Sequence, residues 1–176
     1  MIFKVKYMPE TSKVLLGVIE TGFIVKVIGR GTMEYCPELF EFLSNKIEKD
    51  KIENIYFELS STTYLDSSFI GVIVSIQKKI KKFHNTDIII LNPSEKVKEI
   101  FNTMGLIDIL PIQENDEFRN IELNQEIQKK LEKNYKDIKL LLESHQNLME
   151  INDENRKRFV LVEEMLKKEL ERHKNE

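Results

Sequence analysis

Glycine and proline give out well before the chain does. All six glycines and all four prolines lie at or before Pro111, so the remainder lacks the residues that most often interrupt a helix. Tryptophan is absent, and cysteine is limited to Cys36. A lone cysteine excludes an internal disulfide and fits a reducing cytoplasm. No stretch approaches the roughly 20 apolar residues that span a bilayer. The N-terminus lacks an apolar run followed by a small-residue cleavage site. A soluble, cytoplasmic protein with no membrane association is expected.

Catalytic signatures are missing too. His84, His145 and His173 are scattered and fall in no HExxH or comparable ligand spacing, so no metal is expected. There is no Walker A sequence and no GxGxxG, and Gly29-Arg30-Gly31 is too short to cradle a phosphate; no cofactor is expected. Cys36 opens a helix at Tyr35-Cys36-Pro37, where the helix dipole lowers a thiol pKa. No base is placed beside it, and a structural role is the simpler reading. A net charge of −3 and a pI near 5.8 give no basic footprint for nucleic acid. The cluster Lys78, Lys79, Lys81 and Lys82 reads as favourable charge at a helix C-terminus. Nothing here requires the chain to be an enzyme.

What is present divides in two. Residues 1–115 carry 29 charged side chains and residues 116–176 carry 28, a rise from about a quarter to nearly half that marks a boundary near residue 115. In the first part, residues 14–20 and 23–28 alternate as a hairpin around Thr21-Gly22. A helix follows Pro37, a strand covers 54–59, a helix 67–83 and an apolar strand 87–91. A short helix from Ser94 ends at Gly105. Strand–helix alternation predicts an α/β fold, a mixed β-sheet with a parallel portion covered by helices.

The most informative segment is Phe57 to Gly71, FELSSTTYLDSSFIG. Ile55, Phe57 and Leu59 alternate as a half-buried strand, and residues 60–63 read as a loop. Asp66 is placed to cap the apolar run Phe69, Ile70, Val72, Ile73, Val74, Ile76 and Ile80. Ser67 and Ser68 then occupy the first helical turn, where unpaired N–H groups and the dipole favour an anion. A phosphate there would add roughly −1.5 to −2 charges and three acceptor oxygens. The pattern alone also fits a capped helix that merely contains two serines. Asp66 read as a general base lacks a histidine placed by the sequence, and a cap explains it.

YLDSSFIGVIVSIQKKIK resembles the signature of STAS domains, the family of bacterial anti-sigma factor antagonists, and the likeness covers most of residues 10–112. FIVKVIGRGTM resembles the family's second strand and following loop, and DIIILNPSEKVKEIFNTMGLIDILPI its late strand, short helix and closing segment. The resemblance implies that the partner is an anti-sigma factor that is also a serine kinase. It implies phosphorylation at the second serine, Ser68, with Ser67 the lesser alternative, and binding only by the unphosphorylated form. The implied contact residues are Asp66, Ser67, Ser68, Phe69 and Gly71. The chain departs from the family at Phe69, where glycine is usual. A ring there either narrows kinase access or anchors a partner.

Beyond residue 115, Ile127, Leu131, Asn134, Ile138, Leu141, His145, Leu148, Asn152, Asn155, Phe159, Val162 and Leu166 alternate in steps of four and three, a heptad pattern. A solvated single helix cannot bury such a stripe. Two arrangements satisfy it: a parallel coiled-coil homodimer through a rod over residues 117–174, or a helical hairpin turning near residues 151–155. The unbroken phase favours the dimer, with Asn134, Asn152 and Asn155 as buried register-setting groups. His145 on the seam reads as a tolerated polar residue, with a pH-sensing role open because imidazole titrates near neutrality. A scaffold that docks constitutively and assembles through this tail is the alternative to a phosphorylation switch.

Overall fold

The computed structural model describes residues 11–174; the outermost positions of the two expected units, 1–10 and 175–176, lie outside them. Alternating apolar residues build the hairpin of β1 (Lys13–Ile19) and β2 (Gly22–Gly31), paired antiparallel from Lys13 opposite Ile28 to Ile19 opposite Gly22. Gly22, at φ +155°, packs so tightly under Asn54 that a Cβ would lie 2.4 Å from its carbonyl oxygen. Next come α1 (Cys36–Glu48), β3 (Ile55–Glu58), β4 (Thr62–Leu65) and α2 (Ser67–His84). They are followed by β5 (Ile89–Leu91), α3 (Glu95–Thr103), β6 (Ile112–Gln113), β7 (Gln125–Ile127), α4 (Tyr135–Met149) and α5 (Asp153–Lys174).

The sheet runs β6-β5-β3-β2-β1-β7, with β4 alongside β2. β3 joins β2 in parallel and carries β5, then β6, also in parallel, while β7 closes the other edge antiparallel to β1. This is the mixed α/β architecture that strand–helix alternation demands. The core lies where α1 and α2 cover the sheet: Leu39, Leu43 and Ile47 meet Phe69, Ile70, Ile73, Ile76 and Ile80 over Val25, Val27 and Phe57, all fully buried.

Three local features differ from the sequence reading. Thr62 and Thr63, read as loop, begin β4, because the Thr62 side chain donates to the Val27 carbonyl at 2.9 Å and the strand pairs with the end of β2. Cys36 opens α1, but burial pushes its thiol well above the ordinary value; desolvation outweighs the dipole. No rod runs over residues 117–174. Residues 125–127 join the sheet, residues 128–134 have no regular secondary structure, and α4 and α5 form an antiparallel-type hairpin joined by residues 150–152.

The heptad positions are filled within one chain. Ile138, Leu141, His145 and Leu148 are buried on α4, with Phe159 of α5 edge-on to the His145 ring at 5.5 Å between centroids. Of the three seam asparagines, Asn134 and Asn152 serve as caps and Asn155 ties α5 to the Met104 and Leu148 carbonyls. Asn134 accepts from the Asp137 N–H, and Asn152 from the Asn155 N–H. Asn152 and Asn155 both donate to the Met104 carbonyl, pinning the hairpin joint to the end of α3.

Candidate functional site at the start of helix α2

The site begins with Asp66. Its Oδ1 accepts the Phe69 N–H at 2.8 Å and its Oδ2 the Met33 N–H at 2.7 Å. The carboxylate therefore caps α2 and stitches the β2–α1 connection to it. Burial raises the Asp66 pKa, and the bonds from Phe69 and Met33 partly offset that rise. Ser67 and Ser68 follow in the first turn. Ser68 is 7% exposed. Phe69 faces the opposite way, fully buried against Gly31, where a Cβ would come within 3.1 Å of the ring. Its ring is thus a foundation of the site and is not displayed at the surface.

What covers the Ser67 side of the site comes from the tail. The Nδ1 of His145 lies 2.8 Å from the Leu141 carbonyl, which can only accept, so Nδ1 carries the proton. Nε2 is then the acceptor for the Ser67 hydroxyl at 3.0 Å. Burial lowers the His145 pKa, while the Leu141 carbonyl and Asp66 act the other way. One turn on, α4 crosses over Gly71 so closely that a Cβ there would sit 2.7 Å from the Ser144 carbonyl oxygen and 2.8 Å from its Cβ. Farther along, Asn147 donates to the Ser75 hydroxyl at 2.9 Å, and Lys78 reaches both Asn147 and Glu150. Ser67, Gly71, Ser75 and Lys78 thus form one stripe of α2 at helical spacing, and α4 lies along it.

The five sequence-expected residues Asp66, Ser67, Ser68, Phe69 and Gly71 are contiguous around this helix start. Sequence reasoning placed His145 on the tail seam but not beside Ser67, and it did not single out Ser144 or Asn147. The only available signal was the position of His145 on the apolar stripe. The basic cluster is largely neutralised: Lys79 pairs with Glu48, and Lys81 with Asp87 at 3.1 Å. A cleft of about 360 Å³ between α1, α2 and α4 is lined by Phe40, Glu41, Glu48, Lys79, Lys136 and Leu140 among others, and neither serine opens into it. Among the described residues no group of three His, Cys, Asp or Glu side chains is disposed to hold a metal, and no helix is long and apolar enough to cross a membrane.

The STAS domain family model matches residues 15–118, and the chain belongs to this family. The anti-sigma-B factor antagonist of Staphylococcus aureus is 30% identical over 93 residues, which are 53% of this chain and 84% of that protein. The anti-sigma-B factor antagonist of Staphylococcus epidermidis is 28% identical over the same length and shares of each chain. Among solved structures, the anti-sigma factor antagonist SpoIIAA in its unphosphorylated form matches with a TM-score of 0.51 at 15% identity, covering 59% of this chain and 90% of its own. An anti-sigma factor antagonist from Mycobacterium paratuberculosis matches at 0.52 and 17%, covering 62% and 92%. These likenesses share the fold and define an anti-sigma factor antagonist-like STAS domain. The family match stops at residue 118, before β7 and the α4–α5 hairpin.

Proposed function

We propose that the chain is a cytoplasmic regulatory binding module that engages an anti-sigma factor acting also as a serine kinase, and that phosphorylation of Ser68 switches this binding off. The observation that carries the reading is the pair Ser67–Ser68 in the first turn of α2, capped by Asp66, in a domain whose named relatives are anti-sigma factor antagonists. Asp66, Ser67 and Ser68 would form the contact surface, with Phe69 and Gly71 setting its shape. A phosphate there places roughly −1.5 to −2 charges beside the Asp66 carboxylate, and in an interface this repels and must be desolvated. On this reading the protein is a kinase substrate and not a catalyst.

The test is a binding assay against the serine-kinase anti-sigma factor of the same cells, with phosphate mapped by mass spectrometry. Ser68→Ala should bind and Ser68→Asp should not. Equal binding by both variants, or a peptide spanning Ser67 and Ser68 that is unmodified under every growth condition, overturns the switch. The burial of Ser68 and the engagement of Ser67 by His145 favour a second reading, a scaffold that docks without switching. That reading gains if the unmodified peptide comes with undiminished binding.

A further inference from the structure

We infer that the α4–α5 hairpin is a latch that occupies the switch face of the STAS domain in cis, and that it swings off as a unit to expose Ser67 and Ser68. The inference rests on the reading of that face as the switch surface, and it adds the device that controls access to it.

Three observations carry it. First, the covering is direct: the Ser67 hydroxyl is held by His145, and α4 approaches Gly71 to contact distance. Ser68, about 100° around the helix from Ser67, is 7% exposed. A kinase or a docking partner needs several residues of clear surface around the acceptor hydroxyl, which this arrangement withholds. Second, the face that α4 covers is unlike a core face. Its stripe is Ser67, Gly71, Ser75 and Lys78 with the buried Val74 among them, whereas the wholly apolar side of α2 (Phe69, Ile73, Ile76, Ile80) is turned to the sheet. Departure of α4 leaves that apolar side covered, so the hairpin can leave without unfolding the domain. On the other helix Leu140, Leu141 and Leu148 do join the core cluster, which gives the closed state its preference.

Third, the hairpin is mounted to move. It hangs on residues 128–134, which lack regular secondary structure and are tied to the domain by the Lys130 N–H to the Glu34 carbonyl; its other anchors are side-chain bonds, Lys136 to Glu41 beside the connection, Asn147 to Ser75 along α4, and Asn152 and Asn155 to the Met104 carbonyl at the far end. A short tether holds the hairpin at high effective concentration, so a modest interface suffices to keep it shut. A partner that binds only the open form sees its affinity reduced by the open fraction.

The experiment uses the full chain carrying Ser68→Cys, alone and with Ser144→Leu, which adds bulk where α4 meets Gly71 and alters no residue of the switch. Ser144→Ala is the conservative control. Iodoacetamide labelling is followed at the introduced thiol and at native Cys36, which is fully buried in the core and reports global opening. A latch predicts that the introduced thiol labels at least tenfold faster than Cys36. Ser144→Leu should accelerate it a further tenfold or more while Cys36 is unchanged, and Ser144→Ala should behave as the parent. Equal rates at the two thiols, acceleration of both by Ser144→Leu, or indifference of the introduced thiol to Ser144→Leu each overturns the latch. The same Ser144→Leu change on the Ser68 background is then offered to the kinase. A hairpin that opens while Ser68 takes no phosphate sinks the switch reading and leaves the latch standing.

Discussion

His145 sets the residue-scale behaviour of the site because its neutral form is the one the fold accommodates. Nδ1 donates to Leu141, Nε2 accepts from Ser67, Phe159 of α5 presents its ring edge, and Asp66 is the facing charge from the α2 cap. Burial holds the imidazole below its ordinary 6.5. In the window just below 6.5 the unfolded chain therefore binds the proton more readily than the folded one, and stability falls as pH drops through the folded value. Asp66 has the opposite sign: raised above 3.8 by burial, it contributes stability at low pH that is lost as pH rises through its folded value. Hydrogen exchange of the α4–α5 amides should be independent of pH above 6.5, once corrected for intrinsic rates, and quicken below it, and His145→Gln should abolish that step. A wild-type chain and a His145→Gln variant with the same profile would rule the histidine out as its origin.

Asp66 is the other residue with a measurable part. Two backbone donors, from Phe69 and Met33, end on its carboxylate. Asp66→Ala removes both acceptors at once, and the expected loss is about 1–2 kcal/mol in chemical denaturation. Asn keeps one acceptor oxygen and should recover part of it. An Asp66→Ala variant as stable as the parent would mean that the cap bonds contribute nothing net.

Among the elements, α2 shows what the sequence makes legible. An Asx residue before an apolar run placed its start at Ser67, because capping is local chemistry that a few adjacent residues encode. β4 and β7 were not legible. They are four and three residues long, and pairing with β2 and β1 over a large sequence separation, rather than any pattern of their own, makes them strands. The heptad stripe was legible as a helix seam, with a hairpin turning near residues 151–155 as one of its two readings, but the spacing could not choose between them, since packing in cis and in trans uses the same three-four spacing. The asparagines held the deciding signal: Asn152 caps the second helix, as the hairpin reading allowed, and Asn134, read as a register-setting group, caps the first. Gly71 tests the element-scale packing directly. Alanine is the better helix former by about 1 kcal/mol, yet its Cβ would meet the Ser144 backbone and side chain. Gly71→Ala should therefore lower the protection of α4 and α5 while leaving β2 and β3 unchanged. Raised stability with undisturbed protection would show that α4 yields freely at this crossing.

At the scale of the whole molecule, one stripe of apolar side chains has two possible destinations. Folded back, Ile138, Leu141, His145 and Leu148 are buried against the chain's own α2 and α5; extended, the same stripe could pair two chains. The cis arrangement is favoured by the tether, because closing a short connection costs less than bringing two molecules together at micromolar concentration. Leu161 and Met165 are left 69% and 71% exposed on α5, but two residues one turn apart are a small area for a stable dimer. Light scattering should accordingly give the 20.8 kDa monomer for the parent chain at micromolar concentration. Ser144→Leu, by freeing the stripe, should raise the dimer population as concentration increases. A parent chain that is dimeric throughout the accessible range, with Ser144→Leu no different, would assign the stripe to assembly and return the tail to the scaffold reading. A monomer that dimerises only when the hairpin is displaced would make access to the serine pair and self-association two consequences of the same opening.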